Sequence, residues 1–231
     1  MNIWFCTPVT SGVVATPCMS AWKKMGYRTA VSGITTDMRE LEGVVDLLLV
    51  RNKYMGTCEA LNYLWQEVGE RADAFIYGGQ DIWPDWRYDA KDAGKIYLEH
   101  FPKLEGVMQP IGDHFGCIDV AAVDPWIGRN FALRVYGGRG PLWPGYYHFW
   151  SDRELFDVAT MLGVYVAEPR LSQYHSHWSR ESNPRRPVHM IKPAALHTAD
   201  GEEYQRRKAA GFPGALDTPP IKPKPDMGDT V

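Results

Sequence analysis

The chain has 231 residues, a formal net charge of −3 and a pI near 6.2. Hydrophobic residues make up 45% of it, which predicts a globular chain with a core and excludes a disordered one. The small negative charge excludes a protein whose whole surface is basic and attracts nucleic acid or membranes. Nine tryptophans and twelve tyrosines suit both a core and clefts that bind planar bases or sugar rings.

The first half of the chain alternates strands with helices. Apolar runs predict strands over residues 3–9, 28–34, 44–51 and 73–79, and helical spacing predicts helices over 15–25 and 57–71. This alternation predicts an α/β fold with a mostly parallel central sheet flanked by helices on both faces. Ligands bind such sheets beyond the carboxyl ends of the strands.

The second half mixes shorter elements with aromatic loops. Helices are predicted over 91–101 and 151–163, and strands over 104–112, 117–124 and 164–169. Ser151 and Glu154 have the spacing of a capping box at the start of the later helix. A Pro/Gly/aromatic loop, "RGPLWPGYYHFW", precedes that helix. Proline, lysine and arginine dominate after residue 183, and a disordered tail is predicted from residue 216.

The cysteines and the N-terminus indicate the compartment. The four cysteines form no C-x-x-C pair, which argues against zinc ribbons and thioredoxin motifs: Cys6, Cys18, Cys58 and Cys117. Their scatter is typical of free thiols in a reducing compartment. "MNIWFCTPV" lacks the features of a signal peptide, and no apolar run is long enough for a transmembrane segment. We therefore expect a soluble, cytoplasmic protein.

One short stretch, "ADAFIYGGQDIWPDW", carries the first functional signal. A buried strand runs into Gly78 and Gly79, and Asp81 then follows among tryptophans. A carboxylate just past a strand end lies where such sheets bind ligands, and carboxylate oxygens suit a hard divalent cation. The alternative is that Asp81 is a turn residue, because aspartate is common in turns.

Four features in series resemble the nucleotide-sugar-dependent glycosyltransferases of the GT-A fold, especially family 2. They are the strand ending "TPV", the segment "NKYMGTCEALNYL", the strand and turn "FIYGGQDIWP", and the helix "DRELFDVATMLG" with the "HSHW" that follows it. The resemblance covers residues 1–180, and the serial order of these short motifs carries it. It implies a Rossmann-like GT-A domain with a nucleotide-sugar half, 1–90, and an acceptor half, 91–180. A basic, largely irregular and partly disordered C-terminal extension, 181–231, would follow.

The resemblance also implies a site. It implies Mn²⁺ or Mg²⁺ bound by Asp81 and by one of the two candidate metal ligands His175 and His177, because neutral imidazole suits manganese better than magnesium. The alternative is a surface H-x-H with no ligand. Residues implied to contact the nucleotide sugar, a UDP-hexose in this interpretation, are Thr7, Pro8, Asp37, Asn52, Gly56, Asn62, Gly79 and Gln80. Two departures stand out. Gln80 replaces the second acidic residue of the metal motif, and "SGITTD" replaces the segment D-G-S-x-D, with Asp37 as a poor substitute.

Asp152 is the candidate catalytic base. In an inverting transfer a base takes the proton of the acceptor hydroxyl, and the resemblance implies this role for Asp152. The alternative is that Asp152 only favours the positive end of the helix dipole. Glu154 is then a cap or a supporting partner. Residues expected to line the substrate sites are Trp83, Trp86, Arg129, Trp143 and His148, although Arg129 can equally form an ion pair.

The acceptor and the reaction class keep alternatives open. The simpler hypothesis for the acceptor is a soluble glycan or a small metabolite. The more specific hypothesis is a hydroxymethylated base in DNA, since the segment from Arg180 to Lys208 is locally basic. A nucleotidyltransferase-like enzyme is one alternative, although "TPVTSGVVATP" lacks the lysine expected in its glycine-rich loop. A non-catalytic nucleotide-sugar-binding module is the other, and Gln80 favours it.

Overall fold

The computed structural model describes residues 1–34, 36–53, 55–116, 119–182, 185 and 190–216, without the side chains of 36, 37 and 192–194. Asp37, whose side chain was expected near the nucleotide, Cys117 and the tail from residue 217 therefore lie outside what is described. Within the described residues, no helix combines the length and the apolar character needed to cross a membrane.

The architecture is a mixed sheet of mostly parallel strands. The strands are β1 (Ile3–Val9), β2 (Arg28–Ile34), β3 (Leu47–Arg51), β4 (Ala74–Tyr77), β5 (Ile82–Trp83), β6 (Val107–Pro110), β7 (Trp126–Gly128), β8 (Tyr165–Glu168) and β9 (Tyr174–His175). Seven of them form one sheet in the order β3-β2-β1-β4-β7-β6-β8, in which only β7 is antiparallel to its neighbours among the described pairings. β5 and β9 pair separately.

The described residues also form six α-helices. They are α1 (Gly12–Lys24), α2 (Thr57–Val68), α3 (Ala90–His100), α4 (Arg129–Arg134), α5 (Ser151–Met161) and α6 (Ile191–Ala209). Short 3₁₀ turns lie at Thr36–Leu41, Tyr136–Gly138 and Trp178–Arg180. The helix and strand bounds of the first half agree with the prediction to within a few residues.

Two hydrophobic layers cover the sheet, one on each face. Along β1, Trp4 and Cys6 pack into the layer that contains α2, whereas Ile3 and Phe5 pack into the layer that contains α1. This alternation follows from the two-residue period of a strand, and it makes the strand apolar on both faces. The predicted α/β fold class, with a mostly parallel central sheet flanked by helices, is confirmed.

The strand predicted over 117–124 is wrong for its described part. Residues 119–124 form turns and bends, and the strand at this place is β7, which begins after Pro125. Tertiary hydrogen bonds hold the turn instead. The Tyr77 hydroxyl donates to the carbonyl of Ala122 at 2.9 Å, and the Ala122 N–H donates to the carbonyl of Asp152 at 3.0 Å.

The described residues of the predicted C-terminal extension include a long helix, α6, where the sequence had suggested largely irregular structure. Helix α6 packs against α5, and its Tyr204 and Arg207 are almost fully buried. Phe212 and Ala215, which follow α6, belong to the same hydrophobic layer as α2. The described residues of the predicted extension therefore pack on the rest of the domain as far as Ala215.

Candidate active site at the carboxyl edge of the sheet

Polar side chains from several elements meet at one edge of the sheet. Asp81 follows β4 and Asp113 follows β6, two strands that run in the same direction. Asp124 precedes β7, and because β7 runs the opposite way, its start lies at the edge where β4 ends. Asp152 begins α5, and the backbone around it is tied to the turn before β7. The carboxyl edge of the sheet thus carries four aspartates.

The glycines at the end of β4 make room for two of these carboxylates. A Cβ on Gly78 would lie 3.0 Å from Asp124 Oδ1 and 3.0 Å from a side-chain carbon of Ile82. A Cβ on Gly79 would collide with Asp81 Oδ1. Real Cβ atoms do not tolerate such approaches without a shift of their neighbours, so the strand ends in glycine because acidic side chains fold back over it.

His175 joins Asp81 to Asp124. The pairing of β5 with β9 places His175 opposite Ile82, directly after Asp81 in the chain. His175 Nε2 lies 3.5 Å from Asp81 Oδ2, and His175 Nδ1 lies 3.9 Å from Asp124 Oδ2. The Ser176 N–H also donates to the Asp81 carbonyl at 2.9 Å. The three side chains therefore form one cluster, defined here as the Asp–His–Asp cluster: Asp81, His175 and Asp124.

The protonation of this cluster depends on burial and on close charges. Burial raises the pKa of Asp124 to about 7, although the nearby His175 opposes the shift. Burial alone would lower the pKa of His175, but the hydrogen bond to Asp81 and the charges of Asp124 and Asp81 raise it. Groups whose pKa values are moved this way by burial and a specific partner are typical of functional sites.

Further contacts surround His175. Asp113 accepts the backbone N–H of His175 at 3.3 Å and forms an ion pair with Arg180. The Arg180 guanidinium lies over the Phe115 ring, 4.0 Å from its centroid, and Phe115 contacts both His175 and His177. The two predicted metal-binding histidines are thus neighbours, with ring centroids 4.9 Å apart. Burial and the positive charge of His175 lower the pKa of His177.

Asp152 lies in the first turn of α5, on the same side of the sheet. Its Oδ1 accepts the Arg153 N–H at 2.9 Å. Burial raises the pKa of Asp152, and the charge of Asp152 in turn raises the pKa values of Asp124 and Tyr77. The Ala122 N–H, in the turn that also carries Asp124, donates to the Asp152 carbonyl at 3.0 Å, so the backbone of the predicted base adjoins the turn that supplies one member of the Asp–His–Asp cluster.

The residues present fit a divalent cation in their chemistry. Asp81 offers carboxylate oxygens, His175 offers an imidazole nitrogen, and its buried Nδ1 has no hydrogen-bond partner. Carboxylate with imidazole suits manganese. Within the described part of the chain, however, no group of three His, Cys, Asp or Glu side chains is arranged to hold an ion by itself. Oxygens of a bound ligand would have to complete the coordination.

Gln80, which replaces the second acidic residue, is engaged elsewhere. Its Oε1 accepts the Thr10 N–H at 3.0 Å, and its Nε2 donates to the Thr10 hydroxyl at 3.2 Å. These bonds fasten the turn after β1 to the turn after β4. Thr7 and Pro8 lie just before that turn in β1. Thr7 is fully buried, and its hydroxyl donates to the Pro8 carbonyl at 3.1 Å.

The segment "NKYMGTCEALNYL", one of the four features that resemble the family, holds the Pro/Gly/aromatic loop that precedes α5. The loop carbonyl of Tyr147 accepts the Thr57 N–H at 2.8 Å and approaches Gly56, which has a φ of 97°, so closely that a Cβ would collide. Asn62 is buried and exchanges two hydrogen bonds with the backbone of Leu142, at 2.8 Å and 3.1 Å. In this structure both Gly56 and Asn62 contact protein backbone. Asn52 lies exposed just past β3.

We call residues 139–150 the aromatic loop. Two residues that were predicted to line the substrate sites, Trp143 and His148, belong to it. The Arg207 guanidinium covers the ring of Trp143, 3.6 Å from its centroid, so Trp143 packs against α6. His148 Nδ1 lies 2.5 Å from the Thr57 hydroxyl oxygen. The loop is also held from α6, because the buried Asp200 carboxylate accepts three backbone N–H groups at 2.9 Å each: those of Tyr147, His148 and Phe149.

The remaining predicted substrate residues separate into two places. Trp83 and Trp86 lie beside the site, their ring centroids 6.3 Å apart, and Trp86 is exposed. Arg129 does not belong to the site. It starts α4 after β7, at the opposite edge of the sheet, and it lies 3.7 Å from Asp73 at the start of β4. Its placement in the acceptor pocket is therefore corrected to an ion pair.

The capping box predicted at α5 is also corrected. The residue at the cap position is Trp150, which makes no capping hydrogen bond through its side chain, and Ser151 is the first residue of the helix. Glu154 is fully buried and accepts hydrogen bonds from Arg207, Tyr136 and Tyr146. It anchors α6 to α5 and does not face the Asp–His–Asp cluster.

The basic segment is largely neutralised by carboxylates. Its described cations Arg180, Arg206, Arg207 and Lys208 pair with Asp113, Glu203, Glu154 and Asp157, respectively. Arg185 is exposed, and the side chains of Arg186 and Lys192 lie outside the described structure. A strip of unpaired cations able to follow a phosphate backbone is not present in the described part of this segment, so the DNA acceptor has no support from it.

Sequence reasoning missed Asp113, Asp124 and Asp200. Asp113 and Asp124 flank short strands, but assigning them to the site requires the knowledge that β7 runs antiparallel. Asp200 sits within a segment whose proline and basic residues suggested irregular structure. The usable signal was the strand that follows Asp124-Pro125, because proline often stands just before a strand.

No model of a known protein family matches the chain, and no curated protein matches its sequence. One similar solved structure is a mutant of Drosophila beta-1,4-galactosyltransferase 7 in complex with manganese, UDP-Gal and xylobiose, with a TM-score of 0.48 and 12% identity over 85% of this chain and 81% of that chain. Another is a glycosyltransferase involved in the glycosylation of the major capsid of PBCV-1, with a TM-score of 0.43 and 7% identity over 73% of this chain and 82% of that chain.

Proposed function

We propose that this chain is a glycosyltransferase that moves a sugar from a nucleoside-diphosphate sugar to an acceptor hydroxyl. The observation that carries the proposal is the convergence of the Asp–His–Asp cluster and Asp152 at the carboxyl edge of the sheet. Sheets of this kind bind their ligands at that edge. A group that can accept a proton thus lies beside groups that can help to hold a divalent cation and a diphosphate.

The donor side of the site is Asp81 with His175. These two residues would hold Mn²⁺ or Mg²⁺, and the donor's diphosphate oxygens would complete the coordination. When bound, the cation neutralises the charge of the departing diphosphate. Asp124 compensates for Gln80, because it brings a second carboxylate to His175 from the turn before β7. Following the motif resemblance, the donor we propose is a UDP-hexose.

The acceptor side is Asp152. Its carboxylate takes the proton of the acceptor hydroxyl as that oxygen bonds to the anomeric carbon. The bond from the anomeric carbon to the diphosphate oxygen breaks in the same displacement, and the diphosphate leaves with the electron pair. Attack opposite to the leaving group inverts the anomeric configuration. A raised pKa suits the role, since a base is most effective when its pKa lies nearer to the working pH.

Asp152→Asn is the decisive variant. It should lower the transfer rate by about two orders of magnitude or more, the usual effect of deleting a general base, while Mn²⁺-dependent donor binding stays unchanged by calorimetry. Asp81→Ala should instead weaken Mn²⁺-dependent donor binding. Asp92→Ala, at an exposed helix position, is the control for both variants. Near-normal turnover of Asp152→Asn, or a product that retains the donor's configuration, would refute the mechanism.

A non-catalytic nucleotide-sugar-binding module is the second candidate. It is favoured by Gln80, whose amide is committed to Thr10, and by the lack of a three-ligand group among the described residues. Slow hydrolysis of a panel of nucleotide sugars with Mn²⁺ distinguishes the two functions. An enzyme of the proposed kind releases the diphosphate even without its acceptor, whereas a binding module retains the intact donor.

A further inference from the structure

Helix α6 and the end of the aromatic loop form an open surface pocket. It is lined by Trp150, His197, Thr198, Gly201, Glu202 and Gln205. Apart from Trp150, every lining residue lies on α6, and Trp150 stands two positions before Asp152 in the chain. The pocket contributes nothing to the Asp–His–Asp cluster, and the reaction proposed above does not use it.

The Trp150 side chain is held in place at a backbone cost. Trp150 has a φ of 69°, in the left-handed region that bulky residues rarely adopt. Its ring stacks on Tyr204 with centroids 5.1 Å apart, and its indole N–H donates to the His197 carbonyl at 3.3 Å. Strained residues of this kind persist where the surroundings enforce them, and they cluster at ligand sites.

The surroundings that enforce this conformation are on α6. Asp200, almost fully buried, accepts the N–H groups of the three residues that precede Trp150. Gly201 then leaves the space for the indole, since a Cβ there would lie 3.1 Å from Trp150 Nε1. Asp200 thus holds the backbone of the aromatic loop, and Gly201 leaves space for the indole ring of Trp150.

The chemistry of the pocket matches a sugar ring. The rings of Trp150 and His197 lie with centroids 5.6 Å apart, and Phe149 contacts His197 at 4.9 Å, so apolar ring surface is grouped on one side. Thr198, Glu202 and Gln205 supply hydroxyl, carboxylate and amide groups around it. A pyranose has an apolar C–H face and a rim of hydroxyls, and sites of this kind pair aromatic walls with a few polar groups.

We propose that this pocket is a glycan-binding subsite for the acceptor of the proposed transfer. The inference rests on the proposed function, and it deepens that function by choosing a glycan over a small metabolite or a DNA base. Trp150 stands two positions before Asp152, so the pocket adjoins the segment that carries the proposed base. In this proposal the pocket binds a sugar unit of the acceptor other than the one that carries the reacting hydroxyl.

The test is a printed glycan array probed with the labelled full chain. Wild type should retain a defined set of glycans, and the double variant His197→Ala/Gln205→Ala should lose roughly tenfold or more of that signal, as expected when one good contact is removed. Both positions are exposed, so the variant should fold. Arg206→Ala truncates an exposed α6 side chain that does not line the pocket, and it should match wild type.

Calorimetry with UDP-hexoses and Mn²⁺ on the same preparations separates the two levels of the proposal. Unchanged donor binding in the double variant, together with the lost array signal, supports the subsite. Retention of no glycan by wild type, or of the same glycans by the double variant, overturns the subsite whatever the donor result. Absence of donor binding in wild type refutes the proposed function instead, because the pocket does not contain the donor residues.

Discussion

Glu154 and Arg207 form a buried, two-pronged ion pair that joins α5 to α6. Arg207 Nε donates to Glu154 Oε2 at 2.7 Å and Nη2 donates to Oε1 at 2.6 Å, with 1% of the Arg207 side chain and 0% of the Glu154 side chain exposed. The hydroxyls of Tyr136 and Tyr146 donate to the same carboxylate. The helix that the sequence assigned to an irregular extension is therefore attached to the helix that begins with Asp152.

Removal of the cation should destabilise the domain strongly. Arg207→Met keeps much of the side-chain volume but leaves Glu154 buried without its partner, and we expect a loss of about 3 to 5 kcal/mol in the free energy of unfolding. Urea unfolding measures it. Arg206→Met is the matched control, because Arg206 pairs with Glu203 at the surface and should cost less than about 1 kcal/mol. Equal losses in the two variants would show that Glu154 does not depend on Arg207.

Gly78→Ala should disturb the Asp–His–Asp cluster although it replaces none of the three residues of the cluster. The new methyl group would lie 3.0 Å from Asp124 Oδ1, so that carboxylate or the strand end must shift. A misplaced carboxylate should weaken Mn²⁺-dependent donor binding by at least about tenfold, measured by calorimetry. Gly43→Ala is the control. A Cβ at Gly43 would meet no atom within 4 Å, but the residue has a positive φ of 74°, so the variant carries a backbone strain and should still leave donor binding intact. Unaltered donor affinity in Gly78→Ala would remove Asp124 from the site.

The pH dependence of transfer should report Asp152. A base acts when deprotonated, so activity should be lost as the pH falls through the pKa of Asp152. Burial raises that pKa above its ordinary value of 3.8, and the acid limb of kcat should therefore lie above that pH. The profile is measured with donor and Mn²⁺ saturating. If the residual activity of Asp152→Asn keeps the same acid limb, another group is responsible, with Asp124 the nearest candidate.

Glu168 should contribute to stability at neutral pH and lose that contribution in acid. Hydrogen bonds from the Arg170 side chain lower the pKa of Glu168 to about 2, against an ordinary 4.5, and a bond with His100 adds to the effect. A lowered folded-state pKa means that the stabilisation is complete above pH 4.5 and disappears as the pH falls toward 2. Glu168→Gln should thus be less stable at neutral pH, with a flatter decline of unfolding free energy between about pH 5 and pH 3. A slope as steep as that of wild type would contradict the assignment.

The strands of the first half were predictable because their signals are local. Residues 3–9 and 28–34 are apolar runs bounded by turns, and both strands appear with these bounds. Asp81 was identifiable for the same reason, since its distance from the end of the preceding strand is visible in the chain. Burial on both faces of a parallel strand leaves a continuous apolar run that needs no partner to be recognised.

Helix α6 and the antiparallel β7 were not predictable in this way. Proline and charged residues obscure the apolar spacing of α6, and its key residue, Arg207, is buried only because Glu154 is there to receive it. β7 has three residues, too few for a periodic signal, and its direction is fixed by its partners β4 and β6. Both elements depend on contacts between residues far apart in sequence.

By itself, the sequence determined the alternation of strands and helices that gives the parallel sheet. It also placed Asp81 just after β4 and Asp152 in the first turn of α5. Both results follow because hydrophobic periodicity and turn residues act over a few positions. Only the tertiary structure decided which carboxylates meet. Asp124 joins His175 because β7 runs backwards between two parallel strands, and Asn62 and Asp200 hold backbone groups of the aromatic loop that lie 80 and 53 residues away along the chain. Such pairings depend on distances in space and on the exclusion of water from buried polar groups, and neither quantity is written in the spacing of residues along the chain.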